Sequence, residues 1–133
     1  MTTRMNTVIR SALLALTVIG ASVSFANAAD SVHVAETAKG QTLVDAKGMT
    51  LYTFVKDSDG KSACNGPCAS NWPPLRAEDG AKAVNGYSVI KRDDGATQWA
   101  YKGKPLYTWA HDQKPGDITG DGFLNGAWHV AQP

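Results

Sequence analysis

The chain has 133 residues, with 13 basic and 12 acidic side chains and a formal net charge of +1 at pH 7. A balance this close to neutral lacks the clustered positive charge by which proteins bind nucleic acid or an anionic membrane surface. The length supports one small domain with a single core rather than two domains. The composition therefore predicts a small protein that does not bind nucleic acid.

The first 28 residues have the composition of a secretory signal peptide. Arg4 and Arg10 supply its positive region, residues 11–24 form an uncharged apolar run, and Ala26-Asn27-Ala28 is a small-x-small cleavage motif. We expect cleavage between Ala28 and Ala29 and release into the periplasm or the medium, with no membrane span because the apolar run is too short. An uncleaved N-terminal anchor is the alternative. No cysteine follows the cleavage motif, so we expect no lipid anchor.

The first half of the remaining chain favours short strands. Residues 30–37 are predicted to form a leading strand or a loose terminus. Residues 43–54 are predicted to form a hairpin, because two β-prone runs flank Lys47-Gly48, where glycine permits the positive φ of a tight turn. Side chains from Leu51 to Val55 alternate between two mostly apolar faces, so we expect this strand to be covered on both sides.

The rest of the chain continues this pattern. Pro67 suits the first turn of a short helix and Pro73 would end it, so residues 64–74 are predicted to form a single turn or an irregular loop. Further strands are predicted at Tyr87–Ile90, Thr97–Tyr101, Leu106–Trp109 and Ala127–Val130, with turns at Arg92–Gly95 and Lys102–Pro105 and a long loop at Lys114–Gly126. No long stretch has helical periodicity, so the fold class is predicted to be all-β with little helix.

A short phrase occurs twice in the chain. Residues 47–57 and residues 102–112 are offset by 55 positions, and six of the eleven paired positions are identical. A repeat of this kind indicates one structural unit per copy. We therefore expect a single β domain at 29–133, with one repeat at about 40–75, a linker at about 76–85 and a second repeat at about 86–133.

The two repeats are predicted to close on each other about an approximate twofold axis. Aromatic side chains should supply much of the core, because each ring buries on the order of 150–250 Å². The rings expected there are those of Tyr52, Phe54, Trp72, Trp99, Tyr107, Trp109 and Trp128.

The chain resembles a secreted-repeat family of predicted bacterial lipoproteins that carry a Tyr-x-(Phe/Trp/Tyr)-x-x-Asp motif. The resemblance extends over residues 39–130 and includes the two copies of that motif, the cysteine pair leading into Trp72-Pro73-Pro74-Leu75, and Gly120-Asp121-Gly122 leading into Trp128-His129. It implies export and a repeat fold. It implies no established activity, and the lipidated cysteine of many members is missing here.

The motif residues are Tyr52, Phe54 and Asp57 in the first copy and Tyr107, Trp109 and Asp112 in the second. One interpretation is a pair of ligand surfaces, each with an aromatic face beside a carboxylate. The interpretation we favour is structural, with the aromatic rings in the core and each aspartate accepting hydrogen bonds from the turn that ends its strand.

Cys64 and Cys68 are predicted to form a structural disulfide, as expected for two cysteines in an exported chain. A thiol–disulfide redox pair is the alternative. Its spacing would differ from that of thioredoxin-like sites, since three residues rather than two lie between the cysteines.

A metal ion is the only cofactor that the sequence suggests, and none is required. Asp117 and Asp121 lie in a glycine-rich loop whose oxygen atoms suit Ca²⁺, although the spacing of an EF-hand is absent. A transition metal would instead need a histidine cluster. His129 is the candidate, because its strand should lie near the second repeat.

No nucleophile with a nearby base, phosphate loop or close pair of catalytic carboxylates is evident, so we expect no enzymatic activity. The function predicted from the sequence is a secreted periplasmic accessory module that contacts an envelope protein or a small ligand. The alternatives are a periplasmic metal-binding protein and a thiol–disulfide redox partner. The sequence does not indicate the oligomeric state.

Overall fold

The computed structural model describes residue 20 and residues 31–133, so the predicted signal peptide apart from residue 20, and its cleavage site, lie outside the described residues. The elements are β1 (Val32–Thr37), β2 (Gly40–Asp45), β3 (Tyr52–Phe54), α1 (Pro67–Asn71), β4 (Tyr87–Lys91), β5 (Thr97–Tyr101), β6 (Lys104–Pro105), α2 (Phe123–Gly126) and β7 (Trp128–Val130). Strands outweigh helices, which confirms the all-β prediction. In this part of the chain, no helix is long and apolar enough to cross a membrane.

The strands form small antiparallel sheets. β1 pairs with β2, β4 pairs with β5, β5 also pairs with β6, and β3 pairs with β7. The predicted turn at Lys47-Gly48 is present: Gly48 has φ +82°, and the Asp45 carboxylate accepts the amide hydrogens of Lys47 and Met49, each at 2.9 Å. Beyond this turn, β3 leaves β2 and takes the C-terminal strand β7 as its partner.

Each repeat is completed by a segment from the other repeat. Ala131 bonds to both Leu43 and Leu51, which also bond to each other: Leu43 N donates to Ala131 O and Ala131 N donates to Leu51 O, both at 2.8 Å, and Leu51 N donates to Leu43 O at 2.9 Å. In the second repeat Leu75 takes the same place, since Trp99 N donates to Leu75 O and Leu75 N donates to Leu106 O, both at 2.9 Å. The two repeats therefore exchange their closing segments.

The two repeats meet at Tyr52 and Tyr107, which face each other across an approximate twofold axis. Tyr52 N donates to Tyr107 O at 2.8 Å, and Tyr107 N donates to Tyr52 O at 3.0 Å. The predicted twofold relation of two tandem units is confirmed by this reciprocal pair. We call the zone where the two repeats meet, centred on Tyr52 and Tyr107, the repeat seam.

Four aromatic rings stack along the repeat seam. Trp72 and Trp128 lie parallel at the centre, with ring centroids 3.8 Å apart and planes 3° apart. Phe54 stacks on the outer face of Trp128 at 4.2 Å, and Trp109 stacks on the outer face of Trp72 at 4.0 Å. The predicted aromatic core is present, because both central indoles, Tyr52 and Tyr107 are buried.

The expectation that the strand at Leu51–Val55 is covered on both sides fails at its end. Leu51 is fully buried, but Val55 is 61% exposed. The physical reason is that β3 ends at Phe54 and the chain turns away at Val55. The alternation of side chains in the sequence therefore continues beyond the last residue of the strand.

Candidate functional site, a groove at the repeat seam

The motif tyrosines and aspartates bond across the repeat seam rather than within one repeat. Tyr52 Oη donates to Asp112 Oδ2 at 2.6 Å, and Tyr107 Oη donates to Asp57 Oδ2 at 2.7 Å. Each copy thus supplies the acceptor for the tyrosine of the other copy. The motif works as a reciprocal clamp between the repeats.

The remaining oxygen of each aspartate organises the loop that follows it. Asp57 Oδ1 accepts the amide hydrogen of Ala63 at 2.7 Å. Asp112 Oδ1 accepts the amide hydrogen of Thr119 at 3.0 Å and its hydroxyl hydrogen at 2.6 Å. Both carboxylates are therefore engaged on both oxygens by protein groups, which gives the motif a structural role.

Burial sets the protonation of these groups. Burial raises the pKa of Tyr52 far above its ordinary value of 10.0, and the hydrogen bond to Asp112 adds to the shift. Burial likewise raises the pKa of Tyr107. Burial also raises the pKa of Asp57, although the Ala63 amide, the Tyr107 hydroxyl and the Arg92 charge oppose the shift. The tyrosines therefore keep their protons and remain hydrogen-bond donors.

Arg92 extends the polar network on one side of the repeat seam. Its Nη1 donates to Ser62 Oγ at 2.9 Å and to Gln98 Oε1 at 2.7 Å, and its Nη2 donates to the Cys64 carbonyl. Ser62 Oγ in turn lies 2.6 Å from Tyr107 Oη. The sequence predicts a turn at Arg92–Gly95, yet Arg92 is only 4% exposed. The burial of Arg92 was not predicted, because the residues that follow it, Asp93, Asp94 and Gly95, are typical of turns.

The predicted disulfide between Cys64 and Cys68 is present, with Cα atoms 5.2 Å apart. Cys64 is buried against the aromatic stack, and Cys68 lies at its edge. The bridge closes the predicted single turn, in which Pro67 is the first residue of α1. It joins the turn to the core rather than standing free in the solvent.

The candidate metal ligands Asp117 and Asp121 form hydrogen bonds with different groups of the protein. Asp117 Oδ2 accepts the amide hydrogens of Gln113 and Lys114. Asp121 Oδ1 accepts the amide hydrogen of Val130, and its Oδ2 lies 3.1 Å from Lys39 Nζ. Residues 31–133 contain no group of three or more metal-ligating side chains suited to hold an ion.

The Asp121 carboxylate is held as an anion by its neighbours. Burial acts to raise its pKa, but the Val130 amide and the Lys39 ammonium outweigh that effect and leave the pKa lowered. His129 also lies within electrostatic reach of Asp121. The carboxylate thereby links the glycine-rich loop to β7 and to the turn between β1 and β2.

A groove of about 590 Å³ opens where β3 and β7 meet the turn between β5 and β6. Thr53, Phe54, Pro105 and Val130 form its buried or half-buried floor. Its exposed rim includes Val55, Asp59, Lys102, Lys104 and His129. Sequence reasoning missed this groove except for His129, because residues from three distant parts of the chain form it.

The two copies of the repeat distinguish residues that the fold requires from residues that are specific to the groove. Tyr52, Asp57 and Leu51 recur as Tyr107, Asp112 and Leu106, so the fold demands them in both copies. Two of the rim residues differ between the copies, since Lys104 matches Met49 and Val55 matches Ala110, whereas Lys102 recurs as Lys47.

His129 follows the same rule. It pairs with Thr53 in one half, and Pro73 accepts the amide hydrogen of the corresponding Thr108 in the other half. Val55, Lys104 and His129 are therefore rim side chains that the repeat fold does not require, and such side chains are candidates for function.

The fold and the repeat seam together define a small all-β protein built from two interlocked repeats. The chain belongs to a family of secreted repeats of unknown function, whose model matches residues 33–76 and again residues 88–132. The resemblance predicted from the sequence is thereby confirmed. No curated protein and no solved structure shows significant similarity to the chain.

Proposed function

We propose that this secreted protein is a binding module without catalytic activity, and that it holds a small ligand in the groove at the repeat seam. The observation that carries the proposal is the set of copy-specific side chains on the groove rim, above all Lys104 and His129. A volume of about 590 Å³ lies within the range of small-molecule sites, roughly 300–1,000 Å³. This volume favours a small ligand over an envelope protein as the partner.

The polar groups near the groove are engaged with one another, which supports a protein without catalytic activity. They form hydrogen bonds among themselves and are Tyr107, Asp57, Ser62 and Arg92. Such mutual bonding stabilises the fold, because these bonds satisfy the polar atoms that make them, although Arg92 Nε has no hydrogen-bond partner among the described residues. It leaves the ligand to be bound by the exposed rim instead.

The proposed location is the periplasm, where the ligand would be an envelope component or a solute that passes through it. Membership of a family of secreted repeats supports export. The disulfide between Cys64 and Cys68 also suits an oxidising compartment. Cleavage between Ala28 and Ala29 is the proposed route to the released form.

The test is a fragment screen followed by ¹H–¹⁵N NMR. Fragments that bind should shift the amide resonances of Thr53 and His129, at the floor and the rim of the groove. Thr53→Trp should fill the groove and abolish these shifts. Thr108→Trp, the same change at the matched position of the other repeat, should leave them intact.

Thermal unfolding of both variants shows whether each is folded. The proposal fails if fragments cluster at a surface away from the groove. It also fails if a folded Thr53→Trp protein binds as well as the unchanged protein does.

A further inference from the structure

The charged groups at one end of the groove carry both signs. Lys102 and Lys104 flank Gly103, Lys102 in the turn between β5 and β6 and Lys104 as the first residue of β6, and Asp59 lies in a second turn that packs on the first. Gly60 N donates to Gly103 O at 3.1 Å, which joins the two turns. A side chain at Gly103 would collide with the Asp59 carboxylate, so the glycine brings this carboxylate close to the segment that carries both lysines.

These three charges are available to a ligand. Among residues 31–133, the ion pairs are Lys39 with Asp121 and Arg92 with Asp94, and none involves Lys102, Lys104 or Asp59. All three side chains are exposed, and the Lys102 ammonium lies 5.1 Å from the centroid of the Tyr101 ring. Asp57 also reaches the groove wall, but its oxygens are already taken by Tyr107 and Ala63. The groove therefore offers two ammonium groups and one carboxylate.

The floor of the groove beside these charges is apolar. Phe54, Pro105 and Val130 line it, and Phe54 is fixed by its stacking on Trp128. A fixed ring favours binding of an apolar body, because little side-chain entropy is lost when a ligand covers it. A fitting ligand thus has an apolar body and carries charged groups of both signs.

We propose that the groove binds a short peptide as a zwitterion, with its carboxylate beside Lys102 and Lys104 and its ammonium group beside Asp59. Capture of free peptide termini is a known mode of recognition. The assignment of the ligand class rests on the proposed function, namely that the groove is a ligand site.

The experiment compares four forms of one dipeptide, Leu-Phe: both ends free, N-acetylated, C-amidated, and both ends blocked. Affinity is measured by NMR titration of the ¹⁵N-labelled protein, with the Thr53 and His129 amides as reporters. The free dipeptide should bind tightest. Blocking either end should weaken binding by about two- to fivefold, the range for solvent-exposed ion pairs.

Two variants assign each end to its partner. Asp59→Asn should remove the effect of acetylation and leave the effect of amidation. The double variant Lys102→Gln with Lys104→Gln should do the reverse. The control variants are Lys47→Gln, at the position in the other repeat that matches Lys102, and Asp79→Asn on the exposed linker; both should bind like the unchanged protein.

The outcomes separate this inference from the proposed function. Equal affinities of all four dipeptides, with shifts at Thr53 and His129, would overturn the zwitterion assignment and leave the groove as a ligand site. Absence of shifts with every dipeptide would overturn the peptide assignment. The fragment screen with Thr53→Trp then decides the groove itself.

Discussion

Tyr52 and Tyr107 show how one residue type serves the fold twice. Each phenol lies edge-on to a central indole, Tyr52 against Trp72 at 5.3 Å and Tyr107 against Trp128 at 5.1 Å. Each hydroxyl then reaches the aspartate of the opposite repeat. The ring fills the core while the hydroxyl fixes the position of the other repeat. A phenylalanine would fill the core but would lack the hydrogen bond to the other repeat.

The Tyr52–Asp112 bond should appear as a coupling energy. In a double-mutant cycle of Tyr52→Phe with Asp112→Asn, we expect the two losses of stability to be non-additive by about 0.5–3 kcal/mol. The physical reason is that Tyr52→Phe removes the donor and Asp112→Asn removes the charge of the acceptor in the same hydrogen bond. The free energy of unfolding is measured by urea denaturation.

The control cycle pairs Asp112→Asn with Tyr101→Phe. Tyr101 packs against Tyr87 and shares no hydrogen bond with Asp112 among the described residues. These two changes should add within about 0.3–0.5 kcal/mol. Additivity in the first cycle as well would contradict the proposed clamp.

Alkaline pH should unfold the protein through the same tyrosines. Burial raises the pKa of Tyr52 and of Tyr107 in the folded state, while the unfolded chain keeps values of about 10. Above that pH the unfolded state loses protons that the folded state retains. Stability is therefore fully present below pH 10 and falls as the pH rises, by about 1.4 kcal/mol per pH unit for each tyrosine.

The measurement follows phenolate absorbance and circular dichroism together during an alkaline titration. Two of the four tyrosines should ionise only as the fold is lost. Ionisation of all four near pH 10 with the fold intact would contradict the burial argument.

At the scale of elements, the two halves of the protein use different means at matched places. The turn before Trp72 is α1, closed by the disulfide, whereas the turn before Trp128 is α2, which begins after Gly122. Within α2, Leu124 has φ +54° and its side chain is 64% exposed. Such a backbone conformation is unusual for leucine, and the glycines on either side of it, Gly122 and Gly126, make the tight loop practicable.

Arg92 directly follows β4 and links β5 to the loop before α1. Arg92→Met should keep much of the side-chain volume but leave Ser62, Gln98 and the Cys64 carbonyl without their donor. Each buried group left unsatisfied costs about 1–3 kcal/mol, so a loss of at least that size is expected in chemical denaturation. The neighbouring change Lys91→Met, on an exposed side chain, should stay within about 0.5 kcal/mol. Equal effects of the two changes would argue against the network.

At the scale of the whole molecule, the exchange of closing segments makes each repeat dependent on the other. Leu75 hydrogen-bonds to two segments of the second repeat, and Ala131 hydrogen-bonds to two segments of the first. The central Trp72–Trp128 pair also takes one ring from each repeat. Neither repeat has a complete sheet or a complete aromatic core by itself.

Two fragments, residues 31–85 and residues 86–133, should therefore be unfolded separately and should fold when mixed. Circular dichroism and NMR of each fragment and of the mixture test this. A shortened fragment, residues 86–127, lacks β7 and should fail to restore the fold. A fragment that folds alone with native-like spectra would show that the exchange is not needed for stability.

Much of the local structure is evident from the sequence. The turn at Lys47-Gly48, the single turn at Pro67 and the strands near Tyr87–Ile90, Thr97–Tyr101 and Ala127–Val130 follow from residue types whose preferences act over a few neighbours. The strand predicted at Leu106–Trp109 is wrong, because Tyr107 forms only single bridges, to Tyr52 and Pro74. The repeat of residues 47–57 at 102–112 indicates two equivalent units, and two cysteines in an exported chain indicate a disulfide. These features depend on neighbours in the chain, so the chain itself determines them.

The tertiary structure alone decided which groups from different repeats meet. The same sequence pattern is compatible with Asp57 accepting a hydrogen bond from its own turn or from Tyr107. Only the packing about the twofold axis selects Tyr107 as the donor. Arg92 becomes buried, and the groove forms beside His129, because segments far apart in the chain are brought together. Long-range contacts of this kind depend on the closure of the two repeats as a whole, which no local preference encodes.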